Sequence, residues 1–359
     1  MTSLFDPITL RGLTAKNRMW VSPMCQYSVE QQDGVPTDWH LVHLGSRAVG
    51  GFGLIITEAT AVTADGRISP QDTGLWNTGQ VDAWRRIVDF VHAQHSHIGV
   101  QLSHAGRKSS TFAPWRGKNS VPTEQGGWPA VAPSAIAFGA YAEPRALTGE
   151  EIDDIVTAFG DASRRAHEAG FDLIEIHAAH GYLAHQFLSP LSNRRTDEYG
   201  GSLVKRACFL LRVVDAVRGS VPVAMPVVVR ISATDWVDGG WTIQDSTELA
   251  PLLSARGVDL IDVSTGGLHP DQQITVGPGY QVPFARDVRT KAEVPTAAVG
   301  LITEPAQAQA ILDDGSADVV LLARAALREP AWPLRAAHEL GIPTADAPYP
   351  EQYTRAAWR

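Results

Sequence analysis

A chain of 359 residues, 44% of them hydrophobic, is long enough for one large α/β core or two smaller ones. Thirty basic against 39 acidic side chains leave a net charge of −9 without a long basic block, which argues against a nucleic-acid partner. Two cysteines, Cys25 and Cys208, do not make a secreted disulfide scaffold, and there is neither a long membrane-spanning apolar run nor a hydrophobic leader, so a cytoplasmic location is expected.

Short β-branched runs recur along the chain, at residues 18–23, 52–59, 98–103, 172–176, 227–231, 259–263, 295–299 and 318–322. Nearly continuous apolar runs suit parallel strands buried on both faces. Helical patterns lie between them at 81–93, 151–169, 204–217, 246–255 and 306–312. The 151–169 segment is the clearest. Ile152, Ile155, Val156, Phe159, Ala162 and Ala166 form one apolar stripe, Thr148 and Glu151 have capping-box spacing, and Gly170 is a natural stop. Eight strands alternating with helices close most simply into an α/β TIM (β/α)8 barrel occupying residues 1–359 as one domain. A doubly wound sheet is the rival, but no Gly-x-Gly-x-x-Gly follows an early strand. Residues 108–146, rich in Gly, Pro and Ser, are too long for an ordinary loop and are expected to form an excursion or lid over one mouth of the barrel.

Chemistry in a barrel collects at the C-terminal ends of its strands. Those ends carry Cys25 and Tyr27, Glu58 to Thr60, Gln101 and His104, His177 and His180, Arg230, Ser264, Gly300, and Arg324. Each such polar group left buried and unpaired costs about 1–3 kcal/mol, so a purely structural barrel has no use for the set. His177 and His180 have three readings. They bind a metal with a third ligand from His104, His185 or Asp262; they are satisfied core histidines; or they converge on one substrate oxygen as N–H donors. No familiar ligand spacing favours the metal, and none is assigned. Tyr182, two residues beyond His180, is placed to act as a weak acid. His40 and His43 read as packing or helix-surface histidines. Cys25 is a small buried residue, a covalent nucleophile, or a contact that tunes a redox cofactor.

Arg230 ends an apolar strand and faces either a cofactor anion or a salt bridge to Glu58 or Glu175. Gly300 and Arg324 end the last two strands, where barrels often hold phosphate, and Ser264-Thr265-Gly266-Gly267 adds small donors. The lysines Lys16, Lys108, Lys118, Lys205 and Lys291 avoid strand ends, which removes the main residue of a Schiff-base mechanism.

Ordered motifs sharpen this reading. They are Ser22-Pro23-Met24-Cys25-Gln26-Tyr27, Gln101-Leu102-Ser103-His104-Ala105-Gly106-Arg107, His177-Ala178-Ala179-His180-Gly181-Tyr182-Leu183, the run 189–201, and Val299-Gly300. Together they resemble the old yellow enzyme family of flavin-dependent ene-reductases, in its bacterial, xenobiotic-reductase-like branch, along nearly the whole chain. The resemblance implies one non-covalent FMN at the upper mouth. Pro23 and Met24 would flank the ring, Cys25 would contact it and Ala59 would pack nearby. Gln101 would bind the pyrimidine edge and Arg230 the N1/O2 side. Ser264, Gly300, Ala323 and Arg324 would hold the phosphate, with Ala323 standing where most relatives have Gly.

It further implies that His177 and His180 grip the substrate, that Tyr182 donates the proton, and that Tyr27 walls the pocket. NADPH or NADH would supply hydride in a ping-pong cycle that reduces α,β-unsaturated aldehydes, ketones, imides or nitroalkenes. In the tail, residues 350–359, Arg355 and Trp358 match residues that reach into a neighbouring subunit's site, so a homodimer or homotetramer is expected. The larger dienoyl reductase relatives need a four-cysteine cluster that two cysteines cannot build. A zinc hydrolase and a non-enzymatic scaffold are the rivals from other classes.

Overall fold

A computed structural model describes residues 2–358; Arg359, the last residue of the expected tail, lies outside them. Eight parallel strands close into a barrel: β1 (Met19–Val21), β2 (Leu54–Ala61), β3 (His97–Ser103), β4 (Leu173–Ala178), β5 (Val227–Ser232), β6 (Leu260–Ser264), β7 (Thr296–Ala298) and β8 (Val319–Leu322). Each strand pairs with its neighbours in sequence, and β8 closes onto β1 through Leu321 opposite Trp20. All eight coincide with the expected runs, and the barrel, not the doubly wound sheet, is the fold.

Two-residue alternation decides what the barrel encloses. Outward residues such as Ile174, Ile176, Val229, Ile231, Ile261 and Val263 join the core under the helices. Inward residues at the strand starts, including Trp20, Leu54, Leu173, Val228, Leu260 and Val319, form a separate apolar plug. A hairpin, Ile8–Leu10 paired with Leu13–Ala15, caps this lower end with Leu10 and Leu13. Continuing the same alternation upward puts Gln101, Glu175, Arg230, Asp262, His177 and Ser264 inside the upper half, all buried. In β2 the register slips between Ile56 and Ala59, a bulge that sets Ala59 opposite Gln101.

The expected helices appear as Thr78–Ala93, Gly149–Ala169, Leu203–Ser220, Ile243–Ser254 and Pro305–Asp313. The fourth starts three residues early, because Thr242 and Asp245 form a capping box, and it continues through Pro251. Asp38–Val49, Val282–Ala292 and Trp332–Glu339 are further helices. Residues 108–146 hold a 3-10 turn, Thr123–Gln125, and a small parallel pair, Val131–Ala132 with Arg145–Ala146. Trp115 of this segment is exposed yet meets the Tyr27 ring edge-on at 5.8 Å. Among the described residues no helix is long and apolar enough to cross a membrane.

The Thr148 capping box forms as expected. Glu151 N donates to Thr148 Oγ1 at 3.2 Å, and Thr148 N donates to Glu151 Oε2 at 2.8 Å. Thr148→Ala is expected to cost about 1 kcal/mol of stability, read as a lower midpoint in urea unfolding with an unchanged slope. An unchanged midpoint would mean that the helix start is held by packing alone.

Candidate active site

The β1 strand ends at Val21, and Ser22 to Tyr27 then continue without regular structure. Gln26 N donates to Glu58 Oε2 at 2.9 Å and Gln26 Nε2 to Met24 O at 2.8 Å, so Pro23 and Met24 are held from below. Glu58 is in turn paired with His40 at 3.0 Å, both side chains almost completely buried. His40 is therefore a structural partner of the site and not merely a packing residue. Cys25 shares a small cluster with Ala59, Ile68, Ala105, Tyr27 and Tyr182. Burial, then the charges of Asp72 and Glu58, pushes its thiol well above the usual range, so it stays protonated. A resting nucleophile needs the thiolate, and the covalent reading loses its support.

A chain of polar contacts crosses the barrel beneath this segment. Gln101 Nε2 donates to Glu175 Oε1 at 2.7 Å. Arg230 Nε lies 3.0 Å from Asp262 Oδ2, the two residues facing each other across the β5–β6 pairing. The expected salt bridge to Glu58 or Glu175 is corrected to Asp262, a residue weighed in the sequence only as a metal ligand. Burial raises both Glu175 and Asp262, and the Arg230 charge opposes the rise in each. Among the described residues the terminal nitrogens of Arg230 make no protein hydrogen bond. They remain available to an acceptor in the mouth.

After β4 the chain turns sharply. His180 adopts a left-handed conformation, φ 57°, and Gly181 follows at φ 73°. A Cβ on Gly181 would sit 2.2 Å from Gly267 O, so only glycine fits. Gly181 N donates to His185 Nδ1 at 2.9 Å, and His185 Nε2 meets Asp235 at 2.9 Å in a fully buried pair. His185 is thus a brace for the turn and not a third metal ligand. His104 serves similarly, accepting from Gly106 N at 3.1 Å. The result is a cluster of rings: His177 lies 5.2 Å from His180 and 5.0 Å from Tyr182, both edge-to-face.

Burial first, then the Arg230 charge, holds both imidazoles well below their ordinary pKa, so they are neutral. His177 Nδ1 has no protein partner. His180 Nε2 lies 2.8 Å from Ser264 Oγ. Ser264 Oγ also lies 3.3 Å from Gln281 Oε1, to which it can donate while accepting from His180 Nε2; the same amide oxygen accepts from Thr265 Oγ1 at 2.7 Å. Burial raises the Tyr182 phenol well above 10, so it too keeps its proton.

Two cavities border this cluster, one touching His180 and the other Tyr182. One of about 340 Å³ is lined by His180, Ser264, Gly300, Ala323 and Arg324. Gly300 has φ 125°, and a Cβ there would press on Gln281 Nε2 at 2.9 Å. The other, of about 450 Å³, is lined by Tyr27, Tyr182, Lys108 and the 111–119 segment. The sequence reading dismissed every lysine, yet Lys108 Nζ donates to His180 O at 2.8 Å and Gly267 O at 3.0 Å. Its place in a 3-10 turn just past β3, Gly106–Lys108, hid it from a search of strand ends. Arg355 and Trp358 line neither cavity. Trp358 stacks on His338 at 5.5 Å, and Arg355 is exposed.

A closed barrel with a half-engaged guanidinium, neutral histidines and a protonated phenol at its C-terminal mouth defines a cofactor-dependent barrel enzyme. Residues 3–342 match the NADH:flavin oxidoreductase / NADH oxidase family, and the chain belongs to it. It is 50% identical over 341 residues to an NADPH dehydrogenase of Geobacillus sp., covering 95% of each chain. It is also similar to morphinone reductase, solved in complex with tetrahydroNAD, with a TM-score of 0.79 at 31% identity over 96% of this chain and 92% of that one. The old yellow enzyme homologue of Zymomonas mobilis aligns with a TM-score of 0.79 at 30% identity, covering 95% and 93%. The chain is thus an FMN-dependent NAD(P)H oxidoreductase of the old yellow enzyme, or ene-reductase, family. Its residues fit that cofactor: the terminal nitrogens of Arg230, an unbranched backbone at Gly300 and an open cavity reaching Arg324 are what a flavin and its phosphate require.

Gly181→Ala is expected to displace His180 and Tyr182 and to lower NADPH-driven turnover by about 100-fold, with bound flavin retained in the visible spectrum. Wild-type turnover would show that the turn tolerates the methyl. Burial lowers Lys108 from 10.5 to about 7. Between those values the unfolded chain binds more protons than the folded one, so this residue makes stability rise with pH across that window. Lys108→Met should flatten the rise in melting temperature between pH ~7 and pH ~10; an identical pH dependence would remove Lys108 as its source.

Proposed function

We propose that the protein reduces the activated C=C bond of α,β-unsaturated aldehydes, ketones, imides or nitroalkenes, with NADPH or NADH as the reductant. The observation that carries this reading is the convergence of two neutral histidines and one protonated tyrosine within about a ring's width of each other at the barrel mouth. FMN bound there would supply the hydride-transfer chemistry that links the nicotinamide to the alkene at one site.

The chain's own residues do the rest. Pro23, Met24, Cys25, Ala59, Gln101 and Arg230 would hold the ring, while Ser264, Gly300, Ala323 and Arg324 would take the ribityl phosphate. Arg230 would place positive charge against the pyrimidine edge. His177 and His180 would donate to the carbonyl or nitro oxygen, where negative charge builds as the β-carbon gains hydride. A neutral imidazole still carries one N–H, so each ring keeps a donor for that task. Tyr182 would deliver its phenolic proton to the α-carbon. Tyr27 and the 108–146 segment would wall the pocket as a lid, and that segment already lines the second cavity.

The tail fits a role between copies. Tyr353 borders an apolar groove with Leu41, Val42 and Phe90 on the outer face of the helix Asp38–Val49. Val42 is 67% exposed and Trp39 56%, an apolar face left uncovered in one chain. A homodimer or homotetramer would cover it and bring Arg355 and Trp358 toward a neighbour's mouth.

Tyr182→Phe is the direct test of the proton assignment. Flavin reduction by NADPH should be nearly unchanged, while formation of saturated product from 2-cyclohexenone slows by about 100-fold or more. Unchanged alkene turnover would assign the proton to water or another acid. Truncation at residue 349 should shift the protein to monomer in size-exclusion chromatography and raise KM for the alkene. An unaltered oligomer with unaltered KM would leave the tail without this role.

A further inference from the structure

The lower rim of the barrel, far from the mouth, carries a second cluster that the redox chemistry does not use. His92 sits in the last turn of the helix Thr78–Ala93, His97 opens β3, and Asp172 immediately precedes β4. His92 Nε2 lies 2.8 Å from Asp172 Oδ2, and His97 Nδ1 lies 3.4 Å from the same oxygen. Their rings are 6.5 Å apart at 75°. That oxygen also accepts from Ile98 N at 2.8 Å, which fixes the carboxylate against β3.

The tautomers leave the cluster incomplete. His97 Nε2 is 3.1 Å from Thr14 O. A carbonyl only accepts, so Nε2 carries the ring's proton. A ring carrying that one proton turns its Nδ1 lone pair toward a carboxylate oxygen. Nδ1 is shielded from solvent and makes no hydrogen bond among the described residues. Two lone pairs directed at each other call for positive charge between them, a second proton or a metal ion.

We propose that His92, His97 and Asp172 form a binding site for a zinc-like divalent cation. The three ligand atoms lie within 4.8 Å of one another, and tetrahedral zinc holds its ligands about 3.3 Å apart, so little movement is needed. Two imidazoles with one carboxylate match a borderline cation better than calcium or magnesium, which prefer all-oxygen sets. The side chains of His92 and His97 are 37% and 34% exposed, which leaves an open side for water ligands. A helix C-terminus, where His92 lies, also favours a cation. Because the ligands come from one helix and the starts of two strands, with the hairpin tied in through Thr14, the ion would staple the closed end of the barrel. Its effect is on stability, not on hydride transfer.

The test uses FMN-loaded protein stripped with a chelator and titrated with Zn²⁺ alone, by calorimetry and by thermal melting. Wild type should bind a single ion and melt at higher temperature with it. His92→Gln should weaken Kd by about tenfold or more and lose the thermal gain, with flavin content and NADPH turnover unchanged. His97→Gln should do the same and serves if the first variant folds poorly. Because Cys25, His177 and His180 could capture zinc at the mouth, a His177→Asn/His180→Asn double variant is titrated in parallel and should keep the site. Absent zinc binding, binding unchanged in both lower-rim variants, or binding lost in the double variant would each overturn the proposal.

Discussion

The buried pair between Arg230 and Asp262 is the constraint on which the upper half of the barrel depends. Alternation along β5 and β6 forces both side chains inward, where water cannot reach them. Glu175, hydrogen-bonded to Gln101, adds a second carboxyl to the same interior. With one guanidinium among two carboxyl groups, removal of Arg230 would leave uncompensated charge, a penalty of about 3–5 kcal/mol for a broken buried pair. Such a pair is a poor way to gain stability, since well-packed apolar residues often do as well. Its value lies in orientation. Asp262 holds the Nε edge, so the terminal nitrogens of Arg230 are presented to the mouth in a fixed direction. In the proposed function, that is where a reduced flavin would place negative charge.

The turn after β4 is built on a similar principle, with polar braces that are themselves buried. His185 and Asp235 hold Gly181 from one side. Lys108 pulls the carbonyls of His180 and Gly267 together from the other. The left-handed His180 is sustained by these contacts and not by its own preference. The same low-dielectric setting that makes the braces necessary keeps His177 and His180 neutral and Tyr182 protonated. Geometry and protonation state therefore share one cause, the exclusion of water from the barrel mouth.

Legibility in the sequence followed how local each signal was. All eight strands were readable because strands covered on both faces become unbroken apolar runs, as in Val227 to Val229. The helix Gly149–Ala169 was readable from its stripe and its cap. Val282–Ala292 was missed because its charged residues, Arg286, Asp287, Arg289 and Lys291, swamp a narrow buried face of Val282, Ala285 and Val288. The inward set Gln101, Glu175, His177 and Arg230 could be listed from strand ends, but partners could not. Pairing Arg230 with Asp262 requires the β5–β6 register, and pairing His40 with Glu58 requires knowing how a helix packs on β2. Lys108 escaped because it acts from a turn whose direction no periodicity encodes.

The central claim is that this mouth holds a flavin which passes reducing equivalents from a nicotinamide to an activated alkene. The most direct measurement is the visible spectrum of the purified protein under anaerobic conditions, after NADPH and then after 2-cyclohexenone. The account predicts a yellow flavin band that bleaches with NADPH and returns on addition of the enone. A protein that neither carries nor takes up FMN, or a band that bleaches and does not return with the enone, would contradict it.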